Sequence, residues 1–145
     1  MSPTAALLVI AAIVVAATIA GIVLRRRDGR ARAVHAGAVE PSALALPGDA
    51  FGERATLVQF STELCARCPG VRRLLSEVAR EREGVVHVDV DLTHRPDIAQ
   101  RFRVLQTPTT LVLDAHGVPR ARIAGAPARH TVAHELDALE GITHV

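Results

Sequence analysis

The sequence contains no lysine, no tryptophan and no tyrosine. All 17 basic residues are arginine, which excludes Schiff-base chemistry and a P-loop lysine. Three phenylalanines are the only aromatic residues, too few for a base-stacking platform or an aromatic sugar-binding surface. With two cysteines the chain cannot be a multi-disulfide scaffold. What remains is a 145-residue sequence, 49% hydrophobic and 22% charged, the composition of one globular domain of ordinary size. The net charge of +2 is unevenly divided: residues 1–42 carry +3 and residues 43–145 carry −1. The globular part is therefore not a basic nucleic-acid binder, and no nucleic-acid partner is expected.

Residues 4–24 form an uncharged run dominated by Ala, Val, Ile and Leu. As a helix it spans roughly 30 Å, the thickness of a bilayer core. A buried core helix of that length would ordinarily show a polar face, and a cleaved signal peptide would carry a basic residue ahead of the apolar run. Neither feature is present, so the run reads as a single transmembrane anchor with the lipid bilayer as partner. Arg25, Arg26, Arg27, Arg30 and Arg32 follow it directly. The positive-inside rule then places the globular part in the cytoplasm.

Residues 25–49 read as a basic, then Ala/Gly/Pro-rich linker, with a short strand expected at residues 43–46 before Pro47-Gly48. Residues 50–145 carry the ordered signals of a compact domain. Thr56-Leu57-Val58-Gln59-Phe60 reads as a buried strand. Val71, Leu74, Leu75, Val78 and Ala79 recur at helical spacing, with Arg73 and Glu77 as an outward i, i+4 pair and Gly84 as the stop. Val86, Val88, Val90 and Leu92 alternate with His87, Asp89 and Asp91, the pattern of a half-buried strand whose acids form a polar face rather than a metal pair. Pro96 opens a short helix, Thr109-Thr110-Leu111-Val112-Leu113 is another buried strand, and residues 120–124 can return as its hairpin partner. Val132, Leu136 and Leu139 mark a last helix. The order β-α-β-α-β-β-α implies an α/β domain with a central sheet covered by helices.

The two cysteines, Cys65 and Cys68, stand at i and i+3 between a strand and a helix. Thiols so placed can close a small disulfide ring with little chain movement. Positive charge from the helix N-terminus and from Arg67 favours a thiolate at the first of them. Pro69-Gly70 leaves two starts for that helix: at Pro69, with Cys68 near the cap, or earlier with a bend. Thr107-Pro108 precedes a buried strand. It is either an ordinary trans proline at a strand start or a cis bond that frees the Thr107 backbone to pair with an extended peptide.

Leu57-Val58-Gln59-Phe60, Cys65-x-x-Cys68, Thr107-Pro108-Thr109 and Gly125-Ala126, in this order, resemble the thioredoxin superfamily over residues from about 50 to 142, and most closely its single-span, membrane-tethered members. The resemblance implies a thioredoxin-like fold, a central mixed sheet flanked by helices, preceded here by the transmembrane helix. It implies a thiol–disulfide oxidoreductase in which Cys65 attacks and Cys68 resolves, while Thr107, Pro108, Gly125 and Ala126 bind substrate. The implied partners are a disulfide-containing protein substrate and a second redox protein; no cofactor and no metal is needed. Two departures stand out. Leu64 replaces the usual Trp, and Gln59 replaces a buried Asp that would carry protons for the second cysteine.

Two other readings compete. His130 and His134, i and i+4 on the last helix, could join the cysteines as zinc ligands, although 61 residues separate Cys68 from His130. The departures also fit a scaffold that binds partners without turnover.

Overall fold

A computed structural model describes residues 2–142. Helix α1 (Pro3–Arg27) is capped at its N-terminus by Ser2, whose Oγ accepts from the Ala5 N–H. It buries none of its side chains, and by length and composition it could cross a membrane or serve as a signal sequence. A three-residue strand β1 (Ala31–Ala33) follows, then a 3-10 turn at Pro41–Leu44. The remaining elements are β2 (Ala55–Ser61), α2 (Cys68–Arg80), β3 (Val85–Asp91), α3 (Pro96–Arg101), β4 (Thr109–Asp114), β5 (Pro119–Ala124) and α4 (Arg129–Ile142).

The five strands form one mixed sheet in the order β1-β5-β4-β2-β3. β2 lies inside it, parallel to β3 and antiparallel to β4, and every one of its residues is buried. A strand covered on both faces has no solvent side, so its polar residues Thr56, Gln59 and Ser61 are buried along with Leu57, Val58 and Phe60. Leu57 faces Val71, Leu75, Val112, Ile123 and Leu136, the core that α2 and α4 build on one side. Val58 and Phe60 face the other side, with Leu44, Ile98, Leu111 and Leu113. The Phe60 and Phe102 rings meet there with centroids 5.6 Å apart. The expected α/β architecture and the β-α-β-α-β-β-α order of the domain are both present.

Three local expectations are corrected. Residues 43–46 are not a strand: Pro41 starts a 3-10 turn there, and Ala45, at φ +56°, ends it. Leu44 and Leu46 instead plug the core beside Phe51. Helix α2 ends at Arg80 with Glu81 as its cap, four residues before Gly84, whose φ of +73° belongs to the turn into β3. Glu77 does not pair along its own helix with Arg73; it reaches across to Arg129 of α4 at 2.8 Å. The segment between α1 and residue 50 also carries β1, which pairs Ala31 with Ile123 and Ala33 with Ala121 and so forms an edge of the sheet.

Candidate functional site

β2 ends at Ser61, and the loop 62–67 carries the chain to the N-terminus of α2. The Cys65 N–H donates to the Thr62 carbonyl at 3.1 Å, and the Cys68 N–H to the Cys65 carbonyl at 3.2 Å. This tight turn brings the two sulfurs together: they are bonded at 2.08 Å, with the Cα atoms 5.4 Å apart. The helix starts one residue ahead of Pro69, close to the first of the two starts open from the sequence, with Cys65 in the preceding loop. Cys68 is the first helical residue and Pro69 sits in the first turn, where a proline deprives the helix of no hydrogen bond. Cys68 is 2% exposed, whereas Cys65 is only half-buried. Solvent and a partner therefore reach Cys65 first.

The Thr107–Pro108 peptide is cis. Its loop is tied to the cysteine loop by Thr62 Oγ1 and Thr107 Oγ1, 3.2 Å apart, and to the end of β5 by the Gly125 N–H, which donates to the Pro108 carbonyl at 2.8 Å. Gly125 is buried with φ +84°, and Ala126 beside it is exposed. Three separate segments thus meet at one end of the sheet. Leu64 and Leu105, 97% and 95% exposed, lie in the two loops of this end as uncovered apolar side chains.

Gln59, where an acid would serve as proton carrier, is fully buried and holds a chain of hydrogen bonds. Its Nε2 donates to the Cys68 carbonyl at 3.1 Å, so its Oε1 must accept from His87 Nε2, also at 3.1 Å. That fixes the neutral His87 tautomer and leaves Nδ1 to accept from Ser76 Oγ at 3.0 Å. Burial beneath α2 pushes the His87 pKa below its ordinary value, while Asp89 pulls it up and Arg72 pushes it down. The polar face of β3 is partly covered: beside His87, Asp89 pairs with Arg72 and accepts from Ser61 Oγ at 2.6 Å. Asp91, exposed at the end of the strand, accepts from Thr93 Oγ1 and the Thr93 N–H.

Arg67, between the cysteines, pairs with Asp28, its Nη1 2.5 Å from Oδ2. Asp28 also accepts from Gln106 Nε2 at 3.4 Å. Nothing in the local sequence marks Asp28 or Leu105 as part of this end of the molecule, because only the tertiary fold brings them there. His134 is exposed beside Glu135, 3.6 Å away. Among the described residues no group of three His, Cys, Asp or Glu side chains is arranged to hold a metal ion, and the two sulfurs are engaged with each other.

The thioredoxin family model matches residues 50–138. A thioredoxin of Mycolicibacterium smegmatis is 37% identical over 87 residues, covering 57% of this chain and 77% of that protein. A bifunctional thioredoxin reductase/thioredoxin of Mycobacterium leprae is 32% identical over 81 residues, 55% of this chain and 18% of that protein. Among solved structures, the reduced thioredoxin pre-protein of Schistosoma mansoni superposes with a TM-score of 0.52 at 17% identity, over 61% of this chain and 81% of that one.

Proposed function

This chain belongs to the thioredoxin family and is a thiol–disulfide oxidoreductase, and from that premise we propose that it reduces disulfides of protein substrates beside a membrane. The observation that carries the direction of attack is the asymmetry of the pair, Cys65 open to solvent and Cys68 2% exposed at the helix start. In the dithiol form, the Cys65 thiolate attacks one sulfur of a substrate disulfide. A Cys65–substrate bond forms, the substrate S–S bond breaks, and the departing substrate sulfur takes up a proton. Cys68 then loses its proton and attacks Cys65, which closes the intramolecular disulfide and releases the second substrate sulfur as a thiol. The substrate gains two electrons and the pair loses two.

Thr107, Pro108, Gly125 and Ala126 supply the groove against which the substrate chain lies during the mixed-disulfide stage. Leu64 and Leu105 offer it apolar contact in place of an aromatic lid. A thioredoxin reductase is the class of partner that restores the dithiol; in the Mycobacterium leprae relative the two activities share one polypeptide. Residues 4–24 act as the membrane span, residues 25–49 as the connection and residues 50–145 as the thioredoxin-like domain. The five arginines after the span support a cytoplasmic position for that domain, and such surroundings would hold the pair reduced.

Cysteine variants test the reading. Cys65→Ser is expected to abolish reduction of a protein disulfide. Cys68→Ser is expected to accumulate the Cys65–substrate mixed disulfide on a non-reducing gel. Full turnover by Cys65→Ser would overturn the assignment of the nucleophile. Labelling of Cys65 by a membrane-impermeant maleimide in intact cells would overturn the orientation.

A further inference from the structure

The first residue after α1 reaches the redox site. Asp28 is the C-cap of the helix. The next residue, Gly29, is buried at φ +74°, and its N–H donates to the Ala124 carbonyl at 2.7 Å. A side chain at Gly29 would begin 2.3 Å from the Ala126 carbonyl oxygen, so only glycine lets the backbone pass there. β1 then pairs with β5 and holds the path in register.

That path delivers the Asp28 carboxylate to three segments of the site at once. Oδ2 receives Arg67 from between the cysteines, and Oδ1 receives Gln106 from the loop of Pro108. The same oxygen lies directly over Gly125, where a Cβ would fall 1.7 Å from it. Asp28 stands outside residues 50–138, the part matched by the family, so this carboxylate is an addition made by the segment that joins the apolar helix to the domain.

The charge on Arg67 bears on the chemistry. A guanidinium two residues from Cys65 stabilises its thiolate, and stabilising the thiolate favours the dithiol over the disulfide, which makes the pair a stronger oxidant. We propose that Asp28 is a positioning residue of the redox site: by pairing with Arg67 it offsets that positive charge and keeps the Cys65–Cys68 pair more reducing than its own loop would make it. The inference rests on the thiol-exchange reading and adds a regulator to it. The connection to the membrane helix sets the potential of the domain it holds. Both charges are partly exposed, 55% for the Arg67 side chain and 26% for that of Asp28, so the effect is that of a screened pair.

The test uses the full chain in detergent micelles, equilibrated in glutathione buffers and read by alkylation mass shift. In that exchange the protein disulfide and two glutathione thiols give two protein thiols and one glutathione disulfide. Asp28→Asn is expected to shift the equilibrium about fivefold toward the dithiol, about 20 mV more positive. It should also move the pH profile of Cys65 alkylation to lower pH. Arg67→Gln is expected to shift both readouts the opposite way, the double variant to return close to the parent, and Asp28→Glu to stay close to it. A merely structural role would not give opposite signs that cancel. A parent-like potential in Asp28→Asn, or shifts of the same sign in both single variants, would overturn the inference alone. A parent chain with no reversible Cys65–Cys68 disulfide would overturn the exchange reading and the inference together.

Discussion

Helix α1 and strand β2 draw on the same aliphatic residues and use them in opposite ways. Every residue of β2 is buried between two helical layers, whereas α1 buries no side chain and presents Leu, Ile and Val all round. The difference lies in pattern and context rather than in hydrophobicity. α2 places Val71, Leu75, Val78 and Ala79 on one face and charged residues on the other, and it packs on the sheet. α1 has no polar face, so it has no side to turn to water, and its apolar surface is suited to lipid. Aliphatic side chains stabilise the fold in one region and contribute nothing to it in the other.

Substitutions in the two regions sharpen that contrast. Leu57→Ala empties part of a fully buried site and is expected to cost about 3–5 kcal/mol in urea unfolding of the domain. Ile13→Ala in α1, the same kind of truncation, should leave the unfolding midpoint where it was, because Ile13 is 62% exposed. An equal loss from both would show that α1 packs on the domain.

A smaller effect is expected at His87. Burial lowers its folded pKa below the ordinary value of 6.5. As pH falls below 6.5 the unfolded chain takes up a proton that the folded chain refuses, so this contribution is fully present above 6.5 and is lost toward the lower folded pKa. Urea midpoints at pH 7.5 and 5.5 should therefore drop less in His87→Gln than in the parent. An equal drop in both would show that His87 titrates alike in the folded and unfolded chain. The smallest effect belongs to Arg129, which bridges Glu77 and Glu81 at the surface. Arg129→Ala should cost less than about 1 kcal/mol, and a larger loss would mean that the α2–α4 contact depends on this ion pair.

What could be read from the sequence follows the same division between local and long-range causes. The domain's strands and helices were legible because each carries its own period: Val86, Val88 and Val90 alternate, and Val71, Leu75 and Val78 recur along a helix face. The spacing of Cys65 and Cys68 likewise announces a ring, and the pair is bonded. β1 was not legible, since Ala31-Arg32-Ala33 has no pattern of its own and is a strand only because β5 offers it an open edge. The turn signal Pro47-Gly48 suggested a strand at residues 43–46, but Pro41 set a 3-10 turn there and the core took Leu44 and Leu46. Gln59 could be read as the loss of an acid. That it would hold His87 on one side and the Cys68 carbonyl on the other depends on the parallel pairing of β2 and β3 and on the packing of α2 over them. Asp28 was hidden for the same reason, 39 residues from Arg67 in sequence and in direct contact with it in the fold.

If Cys65 and Cys68 work as a reductant, their equilibrium reduction potential must be low, and its value decides the matter. The full chain in detergent would be equilibrated in defined thiol–disulfide buffers and quantified by alkylation, since the sequence has no Trp or Tyr to report by fluorescence. A value near −270 mV, about that of thioredoxin, is the predicted result; a value near −120 mV, about that of a strong disulfide donor, would contradict it.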